Sequence, residues 1–255
     1  MLRKGYSVII TMPDKMSLEK EVTLRALGAK VVRTPNEAPW DSPESHIGVA
    51  QRLQRETPNA VILDQYRNIN NPLAHELTTG PEIIEAVMST APTAARPSSG
   101  KVDVVVAGAG TGGTVTGVSR AVKKHNPDAV VVGVDPRGSV LAYPEELNVD
   151  GQGKPYVVEG IGYDFIPDVL ARSAVDQWVK TTDEEAFAAV REAIRHEGLL
   201  VGGSSGSALS GAYRWLKSAE GQVAAGRGRN VVVVLADGMR NYMSREWFRG
   251  DYVRQ

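Results

Sequence analysis

The stretch Val104-Val105-Val106-Ala107-Gly108-Ala109-Gly110-Thr111-Gly112-Gly113-Thr114-Val115-Thr116-Gly117 decides the fold of this chain. Its β-branched, apolar beginning is typical of a strand buried on both faces of a parallel sheet. The glycines and threonines that follow predict a turn, and the segment that ends near Lys124 predicts a helix. The sequence therefore indicates a strand, a turn and a helix N-terminus in succession.

This turn has the chemistry of an anion-binding site. Glycines allow several backbone N–H groups to converge, and the first N–H groups of a helix have no acceptor within the helix. The helix dipole favours negative charge at the same point. Thr111 and Thr114 add hydroxyl donors. We therefore expect a phosphate group at this turn.

Two phosphate ligands and one ligand-free alternative fit the turn. The run Gly108–Gly113 satisfies the G-x-G-x-x-G pattern of dinucleotide-binding folds, and Asp135 closes the next apolar run about 20 residues on. A single phosphomonoester, such as that of pyridoxal phosphate, would instead be bound by Gly110–Thr114. An ordinary glycine-rich turn between a strand and a helix is the third interpretation.

The composition is that of an ordinary globular protein. The chain has 255 residues, enough for one large domain or two smaller ones, with 42% hydrophobic and 23% charged residues. A net charge of −1 gives no reason to expect nucleic acid or an anionic membrane as a partner. The absence of cysteine excludes disulfides and cysteine metal sites and allows a cytoplasmic location. The histidines show no metal-ligand spacing, so we expect no metal.

Strand and helix patterns alternate along the chain. Apolar runs with strand character occur at residues 7–11, 29–34, 60–63, 104–107, 130–134, 176–180 and 231–235. Helical patterns occur at residues 18–27, 41–56, 71–79, 80–88, 113–124, 182–198, 202–219 and 241–248. We expect the fully apolar run at 231–235 to be buried. This alternation predicts an α/β fold with parallel sheets covered by helices.

Three further stretches are candidates for a ligand site. Asp64-Gln65-Tyr66-Arg67-Asn68 follows a predicted strand, at the edge where ligands bind in open α/β sheets, although a solvated loop is an equal alternative. In Glu159-Gly160-Ile161-Gly162-Tyr163, the glycines indicate backbone close to a ligand or an ordinary tight turn. Gly202-Gly203-Ser204-Ser205 opens a second helix with the same potential for binding an anion or another polar atom.

Together these stretches resemble the cysteine synthase/cystathionine β-synthase family of pyridoxal phosphate enzymes over essentially the whole chain. The most specific matches are Met12-Pro13-Asp14-Lys15-Met16-Ser17, Asp41-Ser42-Pro43-Glu44-Ser45-His46, Leu63–Asn68, Gly110–Thr114, Val158–Pro167 and Gly198-Leu199-Leu200. The resemblance implies the type II pyridoxal phosphate fold, which is similar to the tryptophan synthase β-subunit. It further implies that residues 1–62 are the remainder of a smaller mobile α/β subdomain and residues 63–255 a large cofactor-binding domain.

The resemblance implies pyridoxal 5′-phosphate as the cofactor and assigns residues to it. The cofactor-binding residues would be Gly110, Thr111, Gly112, Gly113 and Thr114 at the phosphate, Ser204 at the pyridine nitrogen, and Asp237. A hydroxyl at that nitrogen suits β-elimination, because a neutral pyridine is a weaker electron sink than a pyridinium. The substrate side would be formed by Gln65, Tyr66, Glu159, Gly160, Gly162 and Tyr163.

The resemblance also implies a reaction, β-replacement of L-serine with L-homocysteine to give L-cystathionine, a step of transsulfuration in cysteine biosynthesis. Asp64–Asn68 and Gly160–Phe165 are similar to this branch of the family. Thr78–Ile83 is similar to the branch that makes cysteine from O-acetylserine and sulfide, which is the alternative. The implied partners are small amino-acid substrates and further copies of the chain in a homodimer or homo-oligomer.

One departure from the family concerns the catalytic lysine. The family carries a Schiff-base lysine and a glycine–asparagine–threonine loop ahead of the Met12–Lys15 segment, and neither motif occurs in this sequence. We identify no replacement lysine and expect an N-terminally incomplete chain that is inactive alone. A non-catalytic pyridoxal phosphate-binding pseudoenzyme and an NAD-binding Rossmann protein are the remaining alternatives.

Overall fold

The computed structural model describes residues 4–252, which form two compact units. The smaller unit contains the chain up to Asp64 together with the segment from Gly238 onward, and the larger unit is Gln65–Asp237. The sequence placed the C-terminal segment in the large domain instead. It packs on the smaller unit because the backbone N–H and Oγ of Ser244 donate to the carboxylate of Glu19 at 2.5 and 2.8 Å.

The smaller unit is built on a parallel two-stranded sheet. Strand β1 (Ile9–Pro13) pairs with β2 (Lys30–Thr34), and helix α1 (Leu18–Ala26) connects them. Gly28 follows α1 with φ +90°, a left-handed conformation that glycine adopts without strain. These elements confirm the predicted strands and helix to within two residues.

Three predictions in the smaller unit are wrong. Helix α2 (His46–Glu56) begins later than expected, because Ser45 rather than Asp41 caps it, its Oγ accepting from Gly48 N at 3.0 Å. Residues 60–63 form no strand, because no other strand among residues 4–252 lies beside them. In place of one final helix, a short 3₁₀ turn at Met239–Tyr242 precedes α9 (Glu246–Tyr252).

The larger unit contains a four-stranded parallel sheet in the order β5-β4-β3-β6. Its strands are β3 (Val104–Gly108), β4 (Val130–Pro136), β5 (Gln177–Thr181) and β6 (Val231–Val233). In the register, Val106 lies opposite both Val132 and Val233. The predicted run at 231–235 is shorter than expected and only half-buried, because β6 is an edge strand with β3 as its partner. The buried central strand is confirmed.

Helices cover both faces of this sheet. They are α3 (Asn70–Ala74), α4 (Gly80–Ser89), α5 (Gly113–His125), α6 (Asp183–Glu197), α7 (Gly203–Leu216) and α8 (Ala219–Ala224). A π-helical turn, His75–Thr79, joins α3 to α4, and short 3₁₀ turns lie at Glu145–Asn148 and Arg172–Ala174.

The two faces of the sheet bury different side chains. Val105 and Val131 pack with Val115 and Val118 of α5, whereas Val104 and Val106 on the opposite face belong to the cluster that includes Trp215 of α7. This arrangement confirms the predicted α/β architecture. No helix within residues 4–252 is both long and apolar enough to cross a bilayer.

Candidate functional site

The turn between β3 and α5 is built so that only glycine fits at two of its positions. A Cβ atom at Gly110 would lie 2.4 Å from the carbonyl oxygen of Gly160, and one at Gly112 would lie 2.5 Å from the side chain of Leu170. Gly112 also has φ +87°, and α5 begins directly after it. The backbone therefore approaches its neighbours closely at the point where the first N–H groups of α5 have no intrahelical acceptor.

A cavity of about 110 Å³ opens at this turn. Its lining residues are Gly108, Gly110, Thr111, Gly112, Thr114, Gly160, Ile161, Ser204, Val234 and Ala236. Gly113, predicted to bind phosphate with its neighbours, is the first residue of α5. Backbone N–H groups and threonine hydroxyls at a helix N-terminus are suitable donors for an anion, and the cavity has room for a phosphate group. The residues present therefore fit the phosphate of the expected cofactor.

The start of α7 contributes Ser204 to the same cavity, and this side chain is 7% exposed. Asp237, also predicted to bind cofactor, is placed differently. Its backbone carbonyl accepts from Gly202 N at 3.0 Å and from Ser205 Oγ at 3.4 Å. Asp237 therefore anchors the first turn of α7, and it is not one of the residues that line the cavity.

The predicted substrate-side stretch Glu159–Tyr163 runs beside the turn between β3 and α5, residues 108–114, which we name the phosphate turn after the ligand expected there. Gly160 lines the cavity, and Gly162 N donates to the carbonyl of Ala109 at 2.8 Å. Both glycines have positive φ, +88° and +79°. Glu159 is buried, with 3% of its surface exposed. This stretch is therefore held against the phosphate turn by backbone contacts.

The two predicted substrate-side tyrosines meet. The hydroxyl groups of Tyr66 and Tyr163 are 3.4 Å apart, and their rings pack edge to face with centroids separated by 5.4 Å. Burial raises the pKa of Tyr163, so its hydroxyl stays protonated at neutral pH. Gln65, by contrast, is exposed, and its backbone carbonyl oxygen accepts from Asn71 Nδ2 at 2.7 Å. The structure thus joins Tyr66 to Tyr163 and leaves the Gln65 side chain outside the cavity lining.

The dinucleotide alternative required Asp135 to contact a ribose. Asp135 is instead fully buried, with Oδ2 2.6 Å from the Nζ atom of Lys180 and 3.1 Å from the backbone N of Ala142. A carboxylate held inside the core by an ion pair cannot reach a ligand at the turn. The geometry therefore argues against the NAD-binding interpretation.

Two residues that contact the threonines predicted to bind phosphate were not identified from the sequence. Asn71 Nδ2 lies 3.0 Å from Thr111 Oγ1, and His75 Nε2 lies 3.1 Å from Thr114 Oγ1. The available signal was their spacing, because residues four apart lie on one face of a helix. The predicted helix at 71–79 contained both residues, but the sequence did not show which element of the fold packs against that helix.

Comparison with known proteins points to the same chemistry. The family model described as pyridoxal-phosphate dependent enzyme matches residues 2–237. The protein named cystathionine beta-synthase from Dictyostelium discoideum is 52% identical over 242 residues, covering 95% of this chain and 45% of that protein. The rabbit (Oryctolagus cuniculus) protein of that name is 54% identical, covering 95% and 41%. The Saccharomyces cerevisiae protein of that name is 47% identical, covering 96% and 47%.

The chain spans less than half the length of these curated relatives. The family match covers both the phosphate turn and the start of α7, and the parallel sheets flanked by helices agree with the fold expected from the resemblance. The chain therefore belongs to the pyridoxal-phosphate dependent enzyme family.

Proposed function

We propose that this chain forms the cofactor-phosphate site of an enzyme that condenses L-serine with L-homocysteine to L-cystathionine. The observation that carries the proposal is the cavity at the β3–α5 turn, where Thr111, Thr114 and Ser204 converge. The high identity to proteins named cystathionine beta-synthase supports the choice of reaction over cysteine synthesis from O-acetylserine and sulfide. Small amino-acid substrates, a homodimer or homo-oligomer and a cytoplasmic location are proposed with it on the family resemblance.

In this proposal the turn binds the phosphate and sets the position of the cofactor. Backbone N–H groups around Gly110–Thr114 and the hydroxyls of Thr111 and Thr114 donate to the phosphate oxygens. Ser204 places a neutral hydroxyl at the ring nitrogen, which favours elimination at Cβ over transamination. When bound, the cofactor supplies the electron sink for chemistry at the substrate Cα.

The tyrosine pair has a separate role. Because the Tyr66 and Tyr163 rings pack edge to face and Tyr163 stays protonated, the pair forms an apolar wall that ends in two hydroxyl groups. We assign this wall to the substrate side, where it excludes water and donates hydrogen bonds. Gln65, Glu159, Gly160 and Gly162 are assigned to the same side on the family resemblance.

We further propose that the 255-residue chain does not turn over by itself. No lysine is among the residues that line the cavity within the described part of the chain. The chain would then bind the cofactor through its phosphate and lack a positioned base for Cα proton abstraction.

Equilibrium dialysis of the purified chain against pyridoxal 5′-phosphate and against pyridoxal tests the cofactor site. We expect saturable binding of the phosphorylated compound and much weaker binding of pyridoxal. In Thr111→Val, which removes one of the donors, the difference in affinity between the two compounds should become smaller. The exposed Thr93→Val change serves as the control. Equal binding of the two compounds would contradict the phosphate assignment.

Product analysis by mass spectrometry tests the reaction. Serine with homocysteine, and O-acetylserine with sulfide, are supplied in parallel to the chain and to a version extended to the length of its relatives. We expect cystathionine from the extended version only. Cysteine as the preferred product would favour the alternative reaction, and turnover by the 255-residue chain, or a borohydride-stable cofactor adduct at one of its lysines, would contradict the proposed inactivity.

A further inference from the structure

Two side chains from the segment after Tyr66 contact the hydroxyl groups of the threonines in the phosphate turn. Asn71 contacts Thr111 Oγ1 at 3.0 Å, and His75 contacts Thr114 Oγ1 at 3.1 Å. Asn71 and His75 are four residues apart and lie on one face of the helical segment 70–79. One face of this segment therefore supports both threonine hydroxyls.

Two glycines of α5 allow this close approach. A Cβ atom at Gly113 would lie 1.9 Å from Asn71 Oδ1, and one at Gly117 would lie 2.1 Å from the carbonyl oxygen of Pro72 and 2.7 Å from Cβ of His75. The two glycines are also one helical turn apart. Segment 70–79 and α5 are therefore in close contact at both glycines, and this contact brings Cβ of His75 against α5.

The hydrogen bonds of Asn71 have a defined direction. Its Nδ2 group has two protons. One is directed at the backbone carbonyl oxygen of Gln65 at 2.7 Å, and the other is directed at Thr111 Oγ1. A carbonyl oxygen only accepts, which fixes the orientation of the amide. Thr111 therefore accepts from Asn71 and keeps its own hydroxyl proton for another acceptor.

His75 can act on Thr114 in the same way. The imidazole contacts Thr79 Oγ1 through Nδ1 at 2.9 Å and Thr114 Oγ1 through Nε2 at 3.1 Å. A neutral imidazole donates through one nitrogen and accepts through the other. Burial lowers the pKa of His75, and the charged neighbours Glu76 and Arg120 pair with each other at 3.6 Å. The ring is therefore neutral at pH 7 and has one donor to place.

Only one placement leaves the Thr114 proton available to an anion. We propose that Thr79, His75 and Thr114 form a directed hydrogen-bond chain, with the His75 proton on Nε2, that points the Thr114 hydroxyl proton at the anion in the cavity. Thr79 donates to Nδ1, Nε2–H donates to Thr114, and Thr114 donates to the phosphate. His75 and Thr79 are positioning residues in this scheme. It rests on the proposed function, which places a phosphate at the turn.

The tautomer can be measured without any ligand. In the ¹⁵N-histidine-labelled chain, the His75 signals are identified by their absence from His75→Gln, and their shifts show which nitrogen carries the proton. We expect a proton on Nε2 at neutral pH and an unprotonated Nδ1. Thr79→Val should shift the ring toward a mixture of tautomers, whereas Thr79→Ser should leave it unchanged. A proton on Nδ1 in the unmodified chain would overturn the proposal.

Ligand binding then tests the effect on the anion, with pyridoxine 5′-phosphate and pyridoxine as calorimetric probes because neither can react with a lysine. One net hydrogen bond corresponds to a loss of about fivefold to tenfold in affinity. We expect that loss for His75→Leu with pyridoxine 5′-phosphate, no change with pyridoxine, and recovery to within about twofold in His75→Gln, whose amide can donate where Nε2 does.

The outcomes separate this inference from the proposed function. Equal losses for both probes in His75→Leu, or no recovery in a folded His75→Gln, would overturn the positioning role. If the unmodified chain binds neither probe, the proposed cofactor site fails, while the tautomer measurement still decides the direction of the hydrogen-bond chain.

Discussion

The carboxylate of Asp103 and the guanidinium of Arg229 are 2.7 Å apart and join the beginning of β3 to the residues that precede β6. Asp103 also accepts from the backbone N of Asn230 at 2.7 Å and from Ser99 Oγ. Asp103 is only 3% exposed. This buried carboxylate therefore holds the edge strand β6 on the central strand of the sheet.

Replacing this carboxylate should weaken the larger unit. Asp103→Asn should lower the free energy of unfolding by about 1–3 kcal/mol, because buried hydrogen-bond donors lose a charged acceptor. Urea unfolding followed by circular dichroism measures the change. Glu85→Gln, at an exposed site on α4, should have no effect. A stability of Asp103→Asn equal to that of the unmodified chain would show that β6 is held by other contacts.

The same carboxylate predicts a loss of stability in acid. Burial raises the pKa of Asp103, but the hydrogen bonds from Ser99, Arg229 and Asn230 outweigh it and hold the pKa below its ordinary value of 3.8. The unfolded chain therefore takes up this proton more readily, and the stabilisation present above pH 3.8 is lost as the pH falls through the folded value. Unfolding experiments across this range should show a shallower acid dependence in Asp103→Asn than in the unmodified chain.

The Asp135–Lys180 pair should behave as a unit. Both side chains are almost fully buried, with 0% and 9% exposure, and Lys180 Nζ also donates to the carbonyl of Ser139 at 2.8 Å. Lys180→Met leaves a buried carboxylate without its partner and should cost about 3–5 kcal/mol. Adding Asp135→Asn should recover much of that loss. The measurement is the denaturant midpoint of each variant, with the exposed Lys217→Met as the control. Equal midpoints for the single and the double variant would rule out coupling between the two side chains.

The phosphate turn should not tolerate a side chain at Gly110. In Gly110→Ala the new Cβ would lie 2.4 Å from the Gly160 carbonyl oxygen, so the turn and the 159–163 stretch must separate. We expect binding of pyridoxine 5′-phosphate to fall at least about tenfold, since donors aligned on one anion lose their common geometry. Gly226→Ala is the matched control, because its Cβ would have 3.6 Å to the nearest atom. Unchanged binding in a folded Gly110→Ala would place the anion elsewhere.

The strand, turn and helix start at residues 104–117 could be predicted because the residues that specify them are close together in the chain. A buried β-branched strand, glycines at close approaches and a helix start occur within Val104–Gly117, and each has a direct physical consequence for the backbone. The capping box of α6 was predictable for the same reason: Thr182 Oγ1 accepts from Glu185 N at 3.3 Å, and the Glu185 carboxylate accepts from Thr182 N at 2.9 Å.

Features that depend on distant neighbours were missed. Residues 60–63 have the apolar pattern of a strand, yet Val61 is 71% exposed, because a strand also needs a partner that its own sequence does not specify. The contact of His75 with Thr114 joins residues 39 positions apart. It requires the packing of segment 70–79 on α5, and no motif within either segment records it.

His75 gives the last prediction, a dependence of stability on pH near neutrality. Burial lowers its pKa below the ordinary value of 6.5, so the unfolded chain binds this proton at a higher pH than the folded chain does. The free energy of unfolding should therefore fall as the pH decreases from 6.5 toward the lower folded pKa, and level off below it. Glu76 and Arg120, the nearby charged groups, pair with each other at 3.6 Å, and burial is what lowers the pKa of His75. Denaturant unfolding of the unmodified chain and of His75→Gln over this pH interval should show the decline in the free energy of unfolding only with histidine present. An equal decline in both proteins would assign the pH dependence to another group and leave His75 without a proton-linked contribution.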